Sequence, residues 1–95
     1  MEDIQVNIPT PLRRYTGGEK KLKINGATVN EVLSNLVAKY PTLEKHLFKD
    51  GELRSYVNIY VNDDDIRHLQ KTQTRIRSGD SISIVPSIAG GTPSV

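Results

Sequence analysis

Few side chains in this sequence have the type and spacing that chemistry requires. The two histidines, His46 and His68, stand far apart, and neither belongs to a metal-ligand spacing such as His-x-x-x-His. Each reads as a lone surface histidine. Asp63, Asp64 and Asp65 form an acidic run, but the other ligands of a calcium loop and its closing Glu are missing. The run reads as a hairpin turn with solvated carboxylates, and no metal site is expected. No glycine-rich phosphate loop opens a helix. There is no cysteine, which removes thiol nucleophiles, thiolate metal sites and disulfides. No group of residues makes a self-sufficient active site, so the chain does not read as an enzyme. What remains is Gly90-Gly91, a glycine pair just beyond an apolar strand-like run. Taken alone, such a pair is a flexible linker or a ragged end.

The elements available to position these groups are few. With 95 residues, the chain has room for one thin core between two layers, not for a deep cleft beside a cofactor domain. The apolar fraction is 36% and the charged fraction 25%, values of a globular chain. No apolar run approaches the ~18 residues of a membrane span. Met1-Glu2-Asp3 leads straight into a strand pattern, so no signal peptide is expected. With no cysteine either, the expected compartment is the cytoplasm. The net charge is +2 and the basic residues sit in small groups, with only five aromatic residues to interleave. That pattern does not suggest a nucleic-acid partner, nor is a membrane partner expected.

Ile4, Val6 and Ile8 alternate with Gln5 and Asn7, the period of a half-buried strand. Pro9 and Pro11 end it. A long, loose loop through Thr16-Gly17-Gly18-Glu19 leads to a second alternating run, Lys21 to Ile24, and the two strands form a hairpin. Asn25-Gly26 closes it. Thr28 and Glu31 form a capping box, with Ala27 and Val32 at the staple positions. Behind the cap, Val29, Val32, Leu33, Leu36, Val37 and Tyr40 make one apolar stripe of a three-turn helix, limited by Pro41. Thr42 to Phe48 suggests a short second helix, closed by Asp50-Gly51. Val57, Ile59 and Val61 alternate with Tyr56, Asn58, Tyr60 and Asn62 in the clearest strand. A turn over Asn62–Asp65 leads to a short return strand starting at Ile66, then a polar loop over Leu69–Gln73. Ser78-Gly79-Asp80 is a turn before a last strand, Ser81 to Val85. The order β-β-α-β-β plus a final strand is an α+β roll, with the first and last strands central and parallel and one amphipathic helix on a mixed sheet. Val6, Val32, Leu36, Val57, Ile59, Ile82 and Ile84 are the expected core. The domain is expected to span residues 1–88, with a mobile tail over 89–95.

The run Val57-Asn58-Ile59-Tyr60-Val61-Asn62-Asp63-Asp64-Asp65-Ile66-Arg67, the ending Gly79-Asp80-Ser81 through Pro86-Ser87-Ile88-Ala89-Gly90-Gly91, and the opening Val6 to Arg13 with Thr16-Gly17-Gly18 together resemble the ubiquitin-like sulfur carrier proteins, the MoaD/ThiS family. The nearest likeness is to the mycobacterial-type carrier for cysteine synthesis. The resemblance covers residues 4–91 and implies the β-grasp fold.

It also implies the chemistry of the tail. A ubiquitin-activating-type adenylyltransferase using ATP would adenylate the Gly91 carboxylate, and the carrier itself would bind no cofactor. A sulfur donor or sulfurtransferase would then displace AMP and leave a thiocarboxylate. A sulfhydrylase or other accepting enzyme would receive the sulfur, for cysteine or homocysteine/methionine synthesis. Gly90 and Ala89 would let the tail enter narrow active sites, since a residue without Cβ permits close approach. In this sequence the Gly91 carbonyl is an amide to Thr92. The resemblance therefore implies cleavage between Gly91 and Thr92, removing residues 92–95, by a zinc metalloprotease of the deubiquitinase type. Three further readings share the fold: a protein modifier joined to lysines through Gly91, a carrier for molybdopterin or thiazole synthesis, and a β-grasp interaction domain with no covalent chemistry.

Partner enzymes must grip the domain while the tail threads their active sites. The sheet face away from the helix is the expected docking surface, with Tyr56, Asn58, Tyr60 and Val85 and, towards the tail, Ile88. Uncharged aromatic and aliphatic groups suit an interface centre. Arg13, Arg14, Lys20 and Lys21, at the loop end of the first hairpin, are expected to add salt-sensitive steering.

Overall fold

A computed structural model describes residues 3–86. Alternating side chains build its first hairpin. In β1 (Asp3–Asn7), Ile4 and Val6 are buried; in β2 (Lys21–Asn25), Leu22 and Ile24 are, and the two strands pair antiparallel with Ile4 opposite Ile24. The connection is long, as expected, but not loose. Residues Thr10–Thr16 form a 3-10 helix, entered from Pro9 and left through Gly17 at φ 69°. The fully buried Thr16 holds its end: its hydroxyl lies 3.1 Å from Arg13 O and 3.0 Å from Glu19 O, a donor for either carbonyl. Polar composition alone suggested a loop, but the buried Leu12 and Thr16 tie the segment to the core.

Helix α1 (Val29–Lys39) starts at Thr28, whose Oγ1 accepts from Glu31 N at 3.2 Å. The Glu31 carboxylate accepts from Ala27 N at 2.9 Å, so Ala27 serves the cap through its backbone. Its side chain is exposed and staples nothing, because a methyl group this far out meets no core neighbour. Val29, Val32, Leu33 and Leu36 are fully buried, and Val37 and Tyr40 pack at the margin. Burying each of those four aliphatic side chains contributes ~1.5–3 kcal/mol, so the stripe, not helix propensity, fixes α1 on the sheet. Gly26 permits that approach: a Cβ there would lie 2.6 Å from Val32 Cγ2 and 2.8 Å from Val32 N.

The middle of the chain departs most from the sequence pattern. A 3-10 turn, Pro41–Leu43, leads into α2 (Glu44–Leu47), but Phe48 is already extended. β3 (Phe48–Lys49) pairs with β4 (Glu52–Leu53), and Asp50-Gly51 is their hairpin turn, not a helix stop. Both turn residues have positive φ, 55° and 83°, as a tight two-residue hairpin requires. After β5 (Val57–Val61) the turn is only Asn62-Asp63; Asp64–Asp65 is the return strand β6, paired with Tyr60 and Val61. Ile66 therefore does not start a strand. It opens a 3-10 turn, Ile66–His68, and its buried side chain fills the core. The expected loop over Leu69–Gln73 contains another such turn, Lys71–Gln73. The following residues lie along the start of α1, with Val29 N donating to Thr74 O and Ile76 N to Ala27 O, both at 3.0 Å.

β7 (Ser81–Pro86) completes a five-stranded sheet in the order β2-β1-β7-β5-β6. It runs parallel to β1, Val6 beside Ile82, and antiparallel to β5, Ile59 beside Ile84. The last strand is thus the middle of the sheet. All seven expected core residues are buried. One mixed sheet wrapped around one main helix is the β-grasp roll. Among the described residues, no helix is long and apolar enough to cross a membrane.

Candidate functional site

The central strand ends at Pro86, three residues before the expected tail, 89–95. Ser87 onward, and with them Ile88, Ala89, Gly90, Gly91 and Thr92, lie outside the described residues. What the structure does place is the sheet surface and the rim at which that strand ends.

On the face away from α1, a cross-strand row runs Lys21, Asn7, Ser83, Tyr60, Asp65. Gln5 Nε2 donates to Asn7 Oδ1 and Asn7 Nδ2 to Ser83 Oγ, each at 3.0 Å. Asn58 sits opposite Val85, which is 44% exposed. Asn58, Tyr60 and Val85 therefore share one face as expected. Tyr56 does not join their strand. It precedes β5, packs against the edge of the core and lies under the Arg54 guanidinium, 5.9 Å from its ring centroid.

The face is more polar than its composition suggested. Its centre is a lattice of amides and hydroxyls, with lysines on the β2 edge and an ion pair on the β6 edge. That pair is Asp65 and Arg67. Asp65 accepts from Arg67 N at 2.8 Å as the cap of the 3-10 turn, and from Arg67 Nη2 at 2.8 Å. The guanidinium also donates to Asn58 Oδ1, in the middle of the expected docking surface. These bonds from Arg67 hold the Asp65 carboxyl down at about 2, below its ordinary 3.8, and the same bond raises Arg67. The acidic run thus provides one structural cap. Among the described residues no group of three His, Cys, Asp or Glu could hold a metal. The signal for the clamp was the spacing Asp65-x-Arg67, which lets a capping carboxylate also reach a side chain of the turn it caps.

His68 is exposed, but His46 is not the surface residue its sequence context suggested. Its ring stacks on Tyr15, centroids 4.4 Å apart, and its Nε2 is buried without a hydrogen-bond partner. Nothing in the sequence signals this pairing, because the 3-10 helix brings Tyr15 across to α2. His46, Tyr56, Pro9 to Arg13 and Ser83 to Pro86 line a groove of about 710 Å³ at the rim where β7 ends.

A profile of the ThiS family matches residues 6–91 of the chain. The chain belongs to the ThiS family. This ThiS-family chain is 42% identical over 92 residues to the sulfur carrier protein CysO of Mycobacterium tuberculosis, with 94% of this chain and 99% of CysO covered. Among solved structures it is similar to a chain of the Amycolatopsis orientalis BexX/CysO complex, at 38% identity and a TM-score of 0.85, covering 93% of this chain and 99% of that one. It is also similar to small archaeal modifier protein 1 of Methanosarcina acetivorans, at 33% identity and a TM-score of 0.87, covering 96% and 98%. The ubiquitin-like β-grasp architecture is common to these proteins. The ThiS-family chain is accordingly a carrier of the CysO type and not itself an enzyme.

Proposed function

We propose that this carrier delivers sulfur as a thiocarboxylate on Gly91. The family match running to Gly91, the second glycine, is the observation that carries this reading. Residues 1–88 form the domain and 89–95 the tail. A protease, in this reading a zinc metalloprotease of the deubiquitinase type, first cleaves Gly91–Thr92 and frees the carboxylate. A ubiquitin-activating-type adenylyltransferase then joins that carboxylate to the α-phosphate of ATP, with loss of pyrophosphate. A sulfur nucleophile from a donor or sulfurtransferase attacks the acyl carbon and displaces AMP. The thiocarboxylate passes its sulfur to an acceptor held by a sulfhydrylase, in cytoplasmic cysteine or homocysteine/methionine synthesis. The similarity to a protein named CysO favours cysteine.

Intact mass of the protein from its own host tests this. The expected species ends at Gly91 and carries the mass gain of an oxygen-for-sulfur exchange. A sulfur-loaded form that still contains Thr92 to Val95 would exclude the processing step. The likeness to an archaeal modifier protein supports a second reading, an isopeptide to lysines through Gly91. A ladder of conjugates on gels, with no thiocarboxylate, would decide for it.

A further inference from the structure

The β1–β7 ladder stops before β7 does. Its last paired residues are Asn7 and Ser83, yet β7 runs to Pro86. Pro9 has no N–H with which to extend the ladder, and it leads the chain away into the 3-10 helix. The gap that opens is the groove beside Pro86, lined among others by Pro9, Pro11, Arg13, His46, Tyr56 and Val85.

Three features define what fits there. Arg13 Nε donates to Ile8 O at 3.0 Å, which holds the guanidinium in place, and no carboxylate among the described residues pairs with it. Arg13 is the one Lys, Arg, Asp or Glu among the described residues that line the groove, so its charge there is positive and unopposed. The buried His46 Nε2, without a partner, borders the same space. An apolar wall with a fixed, unpaired guanidinium at its edge suits a peptide that presents an apolar side chain next to a carboxylate.

We infer that this groove binds an extended acidic segment of a partner protein, with an apolar side chain among Pro9, Pro11 and Tyr56 and a carboxylate on Arg13. The inference deepens the carrier reading and rests on it in one respect. The partner is an enzyme that works on the tail, because Pro86 lines the groove and the tail follows it closely in sequence. A segment held here grips the domain beside the end of β7 and leaves the tail free to enter an active site.

Titration of the full chain, labelled with ¹⁵N, with the blocked peptide acetyl-Asp-Leu-Glu-Leu-Asp-amide tests the groove without any enzyme. Amide shifts are expected at Thr10, Leu12, Arg13 and Val85, together with the His46 ring, and the affinity should fall with added salt. Arg13→Glu should weaken binding about tenfold or more while the protein melts near the wild-type temperature. Pro11→Asp, at an exposed position, is the second variant should Arg13→Glu unfold. Shifts confined to Asn58 and Tyr60, salt-independent binding, unchanged affinity in a folded Arg13→Glu, or no binding would each overturn the inference. So would a peptide of residues 87–91 that binds the groove in preference to the acidic one, since the chain's own tail would then be the occupant. Intact mass from the host tests the carrier chemistry separately, so the two readings can fail independently.

Discussion

Asn7 Nδ2 donates to Ser83 Oγ at 3.0 Å and joins the first strand to the last across 76 positions of sequence. The bond copies, in side chains, the parallel pairing of β1 with β7, and Gln5 orients the Asn7 amide by donating to its Oδ1. Asn7→Ala and Ser83→Ala should each cost about 0.5–1.5 kcal/mol, the usual net value of one such bond. In a double-mutant cycle by urea denaturation the two costs should fall short of additivity. Fully additive costs would mean that the bond contributes nothing.

Leu36 is completely enclosed between α1 and the sheet. Leu36→Ala should lose ~2–5 kcal/mol, a large share of the stability of so small a domain. A loss under about 1 kcal/mol would mean that the site collapses around the smaller side chain or that Leu36 is less enclosed than described.

Gly26→Ala adds one methyl where there is no room for it. The new carbon would stand 2.6 Å from Val32 Cγ2 and 2.8 Å from a backbone nitrogen that cannot rotate away. The start of α1 must shift, at ~1–3 kcal/mol. At Gly51 a Cβ meets nothing within 4 Å, so the cost of Gly51→Ala comes from φ 83° alone. Gly26 is itself at φ 158°, so thermal melts of the pair compare a clash added to a conformational cost with a conformational cost alone. A melting temperature unchanged in Gly26→Ala would contradict the close approach.

Asp65 titrates at about 2 in the folded chain, against an ordinary 3.8. A depressed carboxyl stabilises the fold while it is ionised. The contribution is therefore complete above about pH 4 and is lost as the pH falls through 3.8 towards 2. Asp65→Asn should flatten the stability profile in that acid window. An NMR titration that finds the Asp65 carboxyl at its ordinary value would show that Arg67 does not hold it.

Tyr60 and Val85 occupy the open sheet face, and Val85 is 44% exposed. Changing both to Asp should leave the domain folded, because neither side chain is part of the buried core. Activation by the adenylating enzyme should weaken about tenfold or more if this face is gripped. Wild-type activation rates in the folded double variant would count against both surfaces, because Val85 also lines the groove; Tyr60→Asp alone, outside the groove lining, tests the sheet face by itself.

The strands β1, β5 and β7 and helix α1 were legible because each carries its own period: Ile4-Val6, Val57-Ile59-Val61, Ile82-Ile84, and the stripe from Val29 to Leu36. Shorter elements depend on partners that a local pattern does not contain. Asp64–Asp65 is a strand only because Tyr60 and Val61 stand beside it. Phe48–Lys49 is too short to alternate, although the Asp50-Gly51 pair was the signal of a hairpin. The 3-10 helix over Thr10–Thr16 hides behind polar residues, since the buried Thr16 hydroxyl looks like a loop residue in sequence. Of the candidate site, Asn58, Tyr60 and Val85 followed from alternation. The departure of Tyr56 and the stack of His46 on Tyr15 follow from long-range packing and leave no local trace.

The place of β7 has a mechanical consequence. A force directed along β7 from its C-terminal end acts on a strand held between β1 and β5. Its ladder bonds then bear the load together, in shear, and cannot be peeled off one at a time. A terminal strand at the sheet edge would unzip under the same pull. A pull on the end of β7 would thus meet more resistance than the same pull on an edge strand.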